Sequence, residues 1–388
     1  MKGLRVGLDG RALGNVNRLR GIGRYTARLV EGLARAGDDI HFVLFGYGGP
    51  PGEDLIARDA MDGLEWHEIP RVKGPPLLAF PGEHLTYARE IEKAGVDIFH
   101  GIDHNMVPFL RCPSLITVHD LILLVLRGPY LGPTAWLWMW AHRRAARGAD
   151  MVIAVSENTA RDVQRIWGIP PQRIAVVHEG VTPDYAPVED GSVKAAALER
   201  YGIEGPYFLY LGGFDPRKNL RNMLLAFKRF ARAAGDGPRL VLAGDFQGFE
   251  GYVGDELEEL GMEDMVSLPG FVEEGDLPAL YSGAACFLCL SLYEGFGLPL
   301  LEAMACGSPV LASRVSSIPE VVGDAGLLVD PLDPGEIARG METMWEGGRE
   351  VEELREKGLR RASGFTWEKS AATIIGLYDM VSGGRCRS

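Results

Sequence analysis

The sequence predicts an α/β protein built from two Rossmann-like domains, and three observations carry that prediction. Short apolar runs alternate with helix-period segments along the whole chain, the signature of parallel α/β architecture. The 388 residues exceed what one hydrophobic core usually supports. Between two series of apolar runs lies T-P-D-Y-A-P-V-E-D-G-S, Thr182 to Ser192, whose Pro, Asp and Gly content suits an interdomain connection.

Taken in order, the first series predicts strands at Leu4–Leu8, Ile40–Phe45, Asp97–His100, Leu115–Val118, Met151–Val155 and Ile174–Val177, with helices such as Tyr25–Ala36 and Leu85–Ala94 between them. The second predicts strands at Tyr207–Leu211, Leu240–Ala243, Val266–Leu268, Ala285–Leu290, Pro309–Ala312 and Gly326–Val329. This gives an N-terminal domain over 1–185, a linker over 186–205 and a C-terminal domain over 206–365. In such folds the ligand crevice opens at the carboxyl ends of the strands. A last helix starts at Thr366, a suitable N-cap, and carries the apolar stripe Trp367, Ala371, Ile374, Ile375 and Tyr378, which needs a surface to cover.

Bulk composition narrows the function classes. Apolar content of 46% with 24% charged residues describes an ordinary globular protein. A net charge of −13 argues against broad nucleic-acid binding, which needs a basic footprint. Five scattered cysteines read as reduced thiols of a cytoplasmic protein. Cys286 and Cys289 form a C-x-x-C, but inside the apolar run C-F-L-C-L, which reads as core packing and not zinc. The N-terminus enters a strand at once, with no apolar h-region, and no run reaches membrane-spanning length.

The most informative stretch is S-L-Y-E-G-F-G-L-P-L-L-E-A-M-A-C-G-S-P-V, Ser291 to Val310. An apolar run ends in a glycine-broken loop, and an apolar helix follows with Pro299 in its first turn. Glu294 and Glu302 bracket the loop. Glu302 sits among Leu, Ala, Met and Cys, where a buried charge is expensive unless something hydrogen-bonds it. The backbone N–H groups around Phe296, Gly297 and Leu298 point out of a helix N-terminus and suit a phosphate or sugar oxygen. Two acceptors and an anion-friendly loop describe a pocket for a phosphorylated polyol. A merely capped helix with one solvated Glu fits the apolar surroundings less well.

Two glutamates separated by seven residues, with G-F-G-L-P between them, resemble the signature of the retaining family 4 glycosyltransferases. The resemblance implies the twin-Rossmann GT-B fold: an acceptor domain first, a facing nucleotide-sugar donor domain second, and the terminal helix 366–388 crossing back onto the first. It also implies that Glu294 holds hydroxyls of the donor sugar and Glu302 the nucleotide ribose.

Other constellations fit the same frame. G-G-F-D-P-R-K-N, Gly212 to Asn219, follows the strand Y-F-L-Y-L and leads into a helix with Asn219 as a credible N-cap. A guanidinium fork, an ammonium and a helix dipole there would make Arg217 and Lys218 a diphosphate clamp, a reading their place at a strand end favours over two solvated charges in a turn. The resemblance agrees, although many members carry the Arg where this chain has Gly213, so that Arg217 acts as its replacement. R-G-I-G-R-Y-T, Arg20 to Thr26, lacks the third glycine of a dinucleotide fingerprint. The resemblance lays this loop over the phosphates and acceptor pocket, implicating Gly21 and Gly23; a plain mobile loop is the competing reading. His119 follows a predicted strand, and the resemblance has it contact the donor sugar, with Asp120 orienting it or capping. Ser156 reads as a helix cap. G-F-V, Gly270 to Val272, matches where the family's backbone meets the nucleobase, which brings in Phe271 and Val272.

T-A-W-L-W-M-W-A-H-R-R-A-A-R, Thr134 to Arg147, combines three Trp with Arg143, Arg144 and Arg147, as interfacial helices do, and is the one hint of peripheral membrane contact. An internal helix with its basic end on the dipole is the plainer reading. No D-x-D metal motif stands in a suitable loop, so no metal and no cofactor is expected beyond a nucleotide-diphosphate sugar as donor substrate. The whole predicts a metal-independent, retaining hexosyltransferase acting on a glycan, lipid-linked or small-molecule acceptor. R-G-I-G-R-Y and D-P-R-K-N resemble bacterial mannosyltransferase-like members, which makes GDP-mannose the expected donor. A phosphorylase or sugar-nucleotide epimerase of the same fold is the enzymatic alternative. A non-catalytic sugar-binding protein would have no use for both phosphate-binding elements. An NAD(P) oxidoreductase would need G-x-G-x-x-G close behind a strand, which is absent.

Overall fold

The computed structural model describes residues 3–14, 18, 21–37, 39–72, 76–103, 110–126, 133–235, 237–245 and 248–384. The chain divides into two compact units. The first runs to Gly180 and resumes at Thr366, and the second is Val181–Phe365. The units therefore part slightly before the stretch expected as linker. Within 186–205, residues Gly191–Arg200 form a helix capped by Asp190, whose side chain accepts from Ser192 N. That helix belongs to the second unit and is not a loose connection.

In the first unit the strands are β1 Leu4–Asp9, β2 Ile40–Gly46, β3 Leu64–Glu68, β4 Ile98–Gly101, β5 Ser114–Val118, β6 Met151–Ala154 and β7 Ile174–Val176. They form one sheet in the order β3-β2-β1-β4-β5-β6-β7, every pair parallel. Helices cover parallel sheets on both faces, so their strands read as continuous apolar runs. Val6 and Leu8 of β1 are fully buried. Gly7 between them has no alternative, because a Cβ there would stand 2.9 Å from the Phe45 ring and 3.0 Å from the Phe99 ring. Strand β3 was not expected. Its sequence L-E-W-H-E lacks an apolar run because it is the sheet edge, where Glu65 accepts from Arg5 Nη2 at 2.8 Å and meets His41 Nε2 at 2.8 Å.

The helix Trp367–Gly384 completes this unit, with residues 385–388 of the expected terminal helix outside the described residues. Trp367, Ala371, Ile374 and Tyr378 are buried as the stripe predicts, while Ile375 is only half-buried and Leu377 and Val381 take its place. Thr366 caps it, its Oγ1 accepting from Lys369 N at 3.3 Å. The stripe packs against the helix Gly21–Ala36, where Gly32 lets the backbones close: a Cβ there would stand 3.1 Å from the Trp367 carbonyl. Polar ties help to fix the helix, Ser370 Oγ donating to the His178 carbonyl at 2.7 Å. His100 Nδ1 meets Tyr378 Oη at 2.7 Å and His100 Nε2 meets Thr117 Oγ1 at 2.9 Å. Burial, and then neighbouring His119, push the His100 imidazole down to about 3, so it is neutral.

The second unit holds β8 Tyr207–Leu211, β9 Arg239–Ala243, β10 Val266–Gly270, β11 Cys286–Cys289, β12 Val310–Ser313 and β13 Leu327–Val329. Their order is β10-β9-β8-β11-β12-β13, again all parallel. Cys286 and Cys289 are buried free thiols of this sheet, as core packing requires. The helix Leu220–Ala234 presents Leu220, Met223, Leu224, Phe227, Phe230 and Ala231 to the core.

Candidate active site

Parallel strands end on the same side, and in the second unit the predicted residues follow those ends. Phe271 and Val272 come after β10, Gly213, Arg217 and Lys218 after β8, and Glu294 to Glu302 after β11. The order of strands reverses between β8 and β11, because β9 lies on one side of β8 and β11 on the other. Open α/β sheets bind ligands at such a switch point. Here the two loops meet. Lys218 Nζ stands 2.7 Å from Glu294 Oε1, and Arg217 Nη1 stands 3.1 Å from Glu294 Oε2. Leu292 N also donates to the Arg217 carbonyl at 2.8 Å.

The ion pair is desolvated, with the Lys218 and Glu294 side chains 14% and 12% exposed. Arg217 is more open at 30% and also binds Asp215, its Nε 2.9 Å from Oδ1. Ser291 Oγ donates to Glu294 Oε1 at 2.6 Å. Both oxygens of Glu294 are thus engaged. Burial alone would push this carboxyl up; Lys218, then Arg217, then the hydrogen bonds bring it down to about 2 from 4.5. A carboxyl depressed by folding contributes stability that is fully present above its unfolded value and lost as pH falls through the folded one. The stability of the native protein should accordingly fall between pH 4.5 and about 2 with a steeper slope than that of Glu294→Gln. Chemical denaturation across that window measures it, and equal slopes would contradict the depressed carboxyl.

Asn219 does not cap the next helix as expected. It is itself left-handed, at φ 62°, and makes no side-chain cap. Its Nδ2 donates instead to the carbonyls of Leu290 at 3.0 Å and Pro331 at 2.7 Å. The side chain therefore ties the Arg217–Lys218 turn to the end of β11. A Cβ on Gly213 would meet nothing closer than Asp215 Oδ2 at 3.8 Å, so no steric conflict demands glycine there.

Gly297, at φ 113°, turns the chain into the helix Leu298–Ala305, with Pro299 in the first turn. Phe296 is buried, its ring 6.0 Å from that of Phe365, and its carbonyl accepts from Ser317 Oγ at 2.9 Å. Glu302 is 1% exposed and accepts from Tyr281 Oη at 3.0 Å. Tyr281 therefore supplies the hydrogen bond that the buried charge requires. Beyond β10, Phe271 is 52% exposed while Val272 is buried, and Gly270 takes a positive φ of 76°. The strand ends are drawn close by glycine: Gly244 N donates to the Gly270 carbonyl at 2.8 Å, and a Cβ on Gly244, at φ 143°, would lie 2.0 Å from the Gly212 carbonyl.

His119, Gly21 and Gly23 belong to the first unit. His119 is 7% exposed at the end of β5, with Nε2 3.0 Å from the Ile102 carbonyl. A carbonyl only accepts, so this nitrogen carries the proton. The ring lies edge-on to Tyr25, centroids 4.5 Å apart. Asp120 Oδ1 accepts from Ile122 N at 3.0 Å just ahead of a short helix whose cap position is Leu121, and Ser156 caps as expected, accepting from Thr159 N at 3.0 Å. Gly21 and Gly23 were expected in a loop, but the helix already begins at Gly21 and both lie in its first turn; Arg20 is outside the described residues.

The Trp/Arg segment forms the helix Pro133–Gly148. The Trp136 and Trp138 side chains lie outside the described residues. Trp140 is 59% exposed, while Met139, Ala145 and Ala146 are buried against Ile116, Val152 and Trp167, and Arg143 Nε donates to the Trp167 carbonyl at 3.3 Å. Among the described residues no helix is long and apolar enough to cross a membrane.

Residues that sequence reasoning missed are the partners of the charges: Tyr281, Ser291, Asp215, Ser316 and Ser317. Ser291 and Asp215 did stand within the quoted motifs, three residues ahead of Glu294 in S-L-Y-E and two ahead of Arg217 in D-P-R-K-N.

Comparisons with known proteins bear on this geometry. The family described as glycosyl transferases group 1 matches residues 198–361, and that described as glycosyltransferase family 4 matches residues 19–185. The chain is similar to O-antigen chain mannosyltransferase B of Escherichia coli, 30% identical over 374 residues, covering 94% of this chain and 97% of that protein. Among solved structures it resembles a sucrose-phosphate synthase from Thermosynechococcus elongatus, with a TM-score of 0.78, 21% identity and coverage of 98% and 100% of the two chains. It also resembles the Anabaena protein HepE in complex with UDP-glucose, with a TM-score of 0.77, 17% identity and coverage of 97% and 100%. These two likenesses show the fold, which is the GT-B fold expected from the sequence.

Proposed function

Because the chain belongs to the group 1 glycosyltransferases, we propose that it is a retaining, metal-independent mannosyltransferase, taking mannose from GDP-mannose to a hydroxyl of a glycan or lipid-linked acceptor. The Lys218–Glu294 ion pair at the switch point, with Arg217 beside it, carries this reading, because it sets cations and a carboxylate where a sugar diphosphate needs both. The mannosyltransferase relative supports the choice of sugar.

In this scheme the bond between the sugar's anomeric carbon and the diphosphate oxygen breaks, and its electron pair leaves with the phosphate. Lys218, Arg217 and the amides at the start of the helix Leu298–Ala305 stabilise that developing charge. The acceptor oxygen bonds to the anomeric carbon on the face the diphosphate leaves, and its proton passes to the departing phosphate oxygen. Glu294 accepts from sugar hydroxyls and holds the two cations, and it need not attack, because entry of the acceptor on the face the diphosphate leaves already retains the configuration. Glu302, held by Tyr281, accepts from the ribose hydroxyls. Glu302→Ala should weaken the free nucleoside diphosphate by roughly 10- to 150-fold, the equivalent of one charged hydrogen bond of about 1.5–3 kcal/mol. Calorimetric titration would show it, and unchanged affinity would sink the ribose assignment.

The reading as a whole is tested by offering the purified protein a panel of GDP-, UDP-, dTDP- and ADP-sugars and following slow donor hydrolysis. GDP-mannose should be consumed fastest, with activity kept in EDTA. Preference for another donor would overturn the mannose assignment. Loss in EDTA restored by magnesium or manganese would overturn metal independence, and no consumption of any donor would overturn the transferase.

A further inference from the structure

Among the described residues, only two that are not glycine hold a positive φ, Asn219 at 62° and Ser316 at 61°. Such a conformation is costly for a residue with a Cβ and persists only where the surroundings impose it, which is common at functional sites. Both stand beside a member of the Lys218–Glu294 pair. Asn219 follows Lys218 directly. Ser316 lies beyond the end of β12, the strand next to β11, and grips the backbone of Glu294 itself.

The grip is complete. Ser316 Oγ accepts from Glu294 N at 3.0 Å and donates to the Glu294 carbonyl at 2.5 Å, so one hydroxyl satisfies both backbone groups of that residue. The neighbouring Ser317 hydroxyl, fully buried, lies 2.9 Å from the carbonyls of Glu294 and Phe296. Two hydroxyl protons thus serve two carbonyls: Ser316 donates to Glu294 and Ser317 to Phe296. The loop that carries the carboxylate is clamped from the adjacent strand end, on both sides of Gly295. It is in this left-handed conformation that the Ser316 hydroxyl reaches both backbone groups of Glu294. The strain at Ser316 is therefore coupled to where Glu294 stands.

We propose that Ser316 is a positioning residue for Glu294, holding its carboxylate in the place where it meets both Lys218 and the donor sugar. This rests on the transferase reading above. The Ser317 hydroxyl is the structural half of the clamp, and Ser316 the half that sets the carboxylate.

The experiment is a double-mutant cycle between Ser316→Gly and Glu294→Gln, read in turnover of the sugar donor, affinity for the free nucleoside diphosphate, and melting temperature. Glycine adopts φ 61° without strain, so this variant loses the hydroxyl and keeps a conformation the site can use; Ser316→Ala, which loses the hydroxyl and keeps the strain, is the companion. Positioning at this scale is worth about tenfold in kcat, with nucleoside diphosphate affinity held within about twofold. In the Glu294→Gln background the Ser316 substitution should add less than about twofold, because the group it positions is gone. Losses of equal size in both backgrounds, or no loss of kcat in Ser316→Gly, would overturn the positioning role while leaving the transferase reading in place. Absence of turnover by the unaltered protein with every donor would overturn the transferase reading, and this inference with it.

Discussion

Lys218→Ala is expected to lower kcat/KM for the sugar donor about a thousandfold, the upper range for removal of one preorganised group facing developing charge. The ammonium is 14% exposed and meets Glu294 at 2.7 Å, so its charge acts through little solvent. A bound diphosphate would lose that cation in the ground state, and the leaving diphosphate would lose it again as charge builds in the transition state. The free nucleoside should bind as before, since it offers the ammonium no charge. Stability should fall too, because a buried carboxylate loses one of its two cations; removing a whole partner from such a pair costs about 3–5 kcal/mol, and Arg217 holds the loss below that. Titrations with nucleoside and nucleoside diphosphate, steady-state kinetics and a thermal melt separate these effects. Equal loss of nucleoside and diphosphate binding would mean a disrupted loop and no phosphate contact.

Glu294→Gln should have the opposite signature toward the product. Turnover of the sugar donor should drop about 10- to 150-fold, the equivalent of a charged hydrogen bond of about 1.5–3 kcal/mol to a sugar hydroxyl. The free nucleoside diphosphate, however, should bind about threefold more tightly, because Lys218 and Arg217 no longer share their charge with a carboxylate held ionised. That result would mean that in the unaltered protein Glu294 sets a counter-charge against the product, which carries one more negative charge than the sugar donor. Product inhibition constants measured for both proteins decide this. Weaker product binding in Glu294→Gln would remove the counter-charge role.

Much of this arrangement is legible in the amino-acid sequence. The strands of both sheets announce themselves as apolar runs because helices cover both faces, and the one missed, β3, is an edge strand whose polar Glu65 and His67 pair with Arg5 and Glu90. The carboxylates and cations of the second unit were legible through their spacing and their place after strands. Their pairing was not: Lys218 and Glu294 are far apart in sequence, and only the strand order sets β8 beside β11. Asn219 was misread because an Asn before a helix is usually a cap, and here its Nδ2 donates to the Leu290 and Pro331 carbonyls while its Oδ1 accepts from Asn222 Nδ2 instead of a helix N–H. Gly21 and Gly23 were misread for the converse reason, since two glycines weaken a helix and the chain nonetheless begins one at Gly21. Ser316 gave no signal at all. Its role depends on a backbone angle that no residue type in V-S-S-I demands.

The first unit closes with the helix Trp367–Gly384, yet that helix is encoded after the whole of the second unit. During synthesis the helix Gly21–Ala36 leaves the ribosome early, with the surface around Tyr25 and Gly32 that Trp367 and Ala371 will cover still open. At about 5–20 residues per second, tens of seconds pass before those partners emerge. The second unit, contiguous over Val181–Phe365, has no such wait and can reach its final packing first. The order of maturation is therefore the reverse of the order of translation, and a nascent chain stopped before Trp367 exposes apolar surface on the domain that was made first.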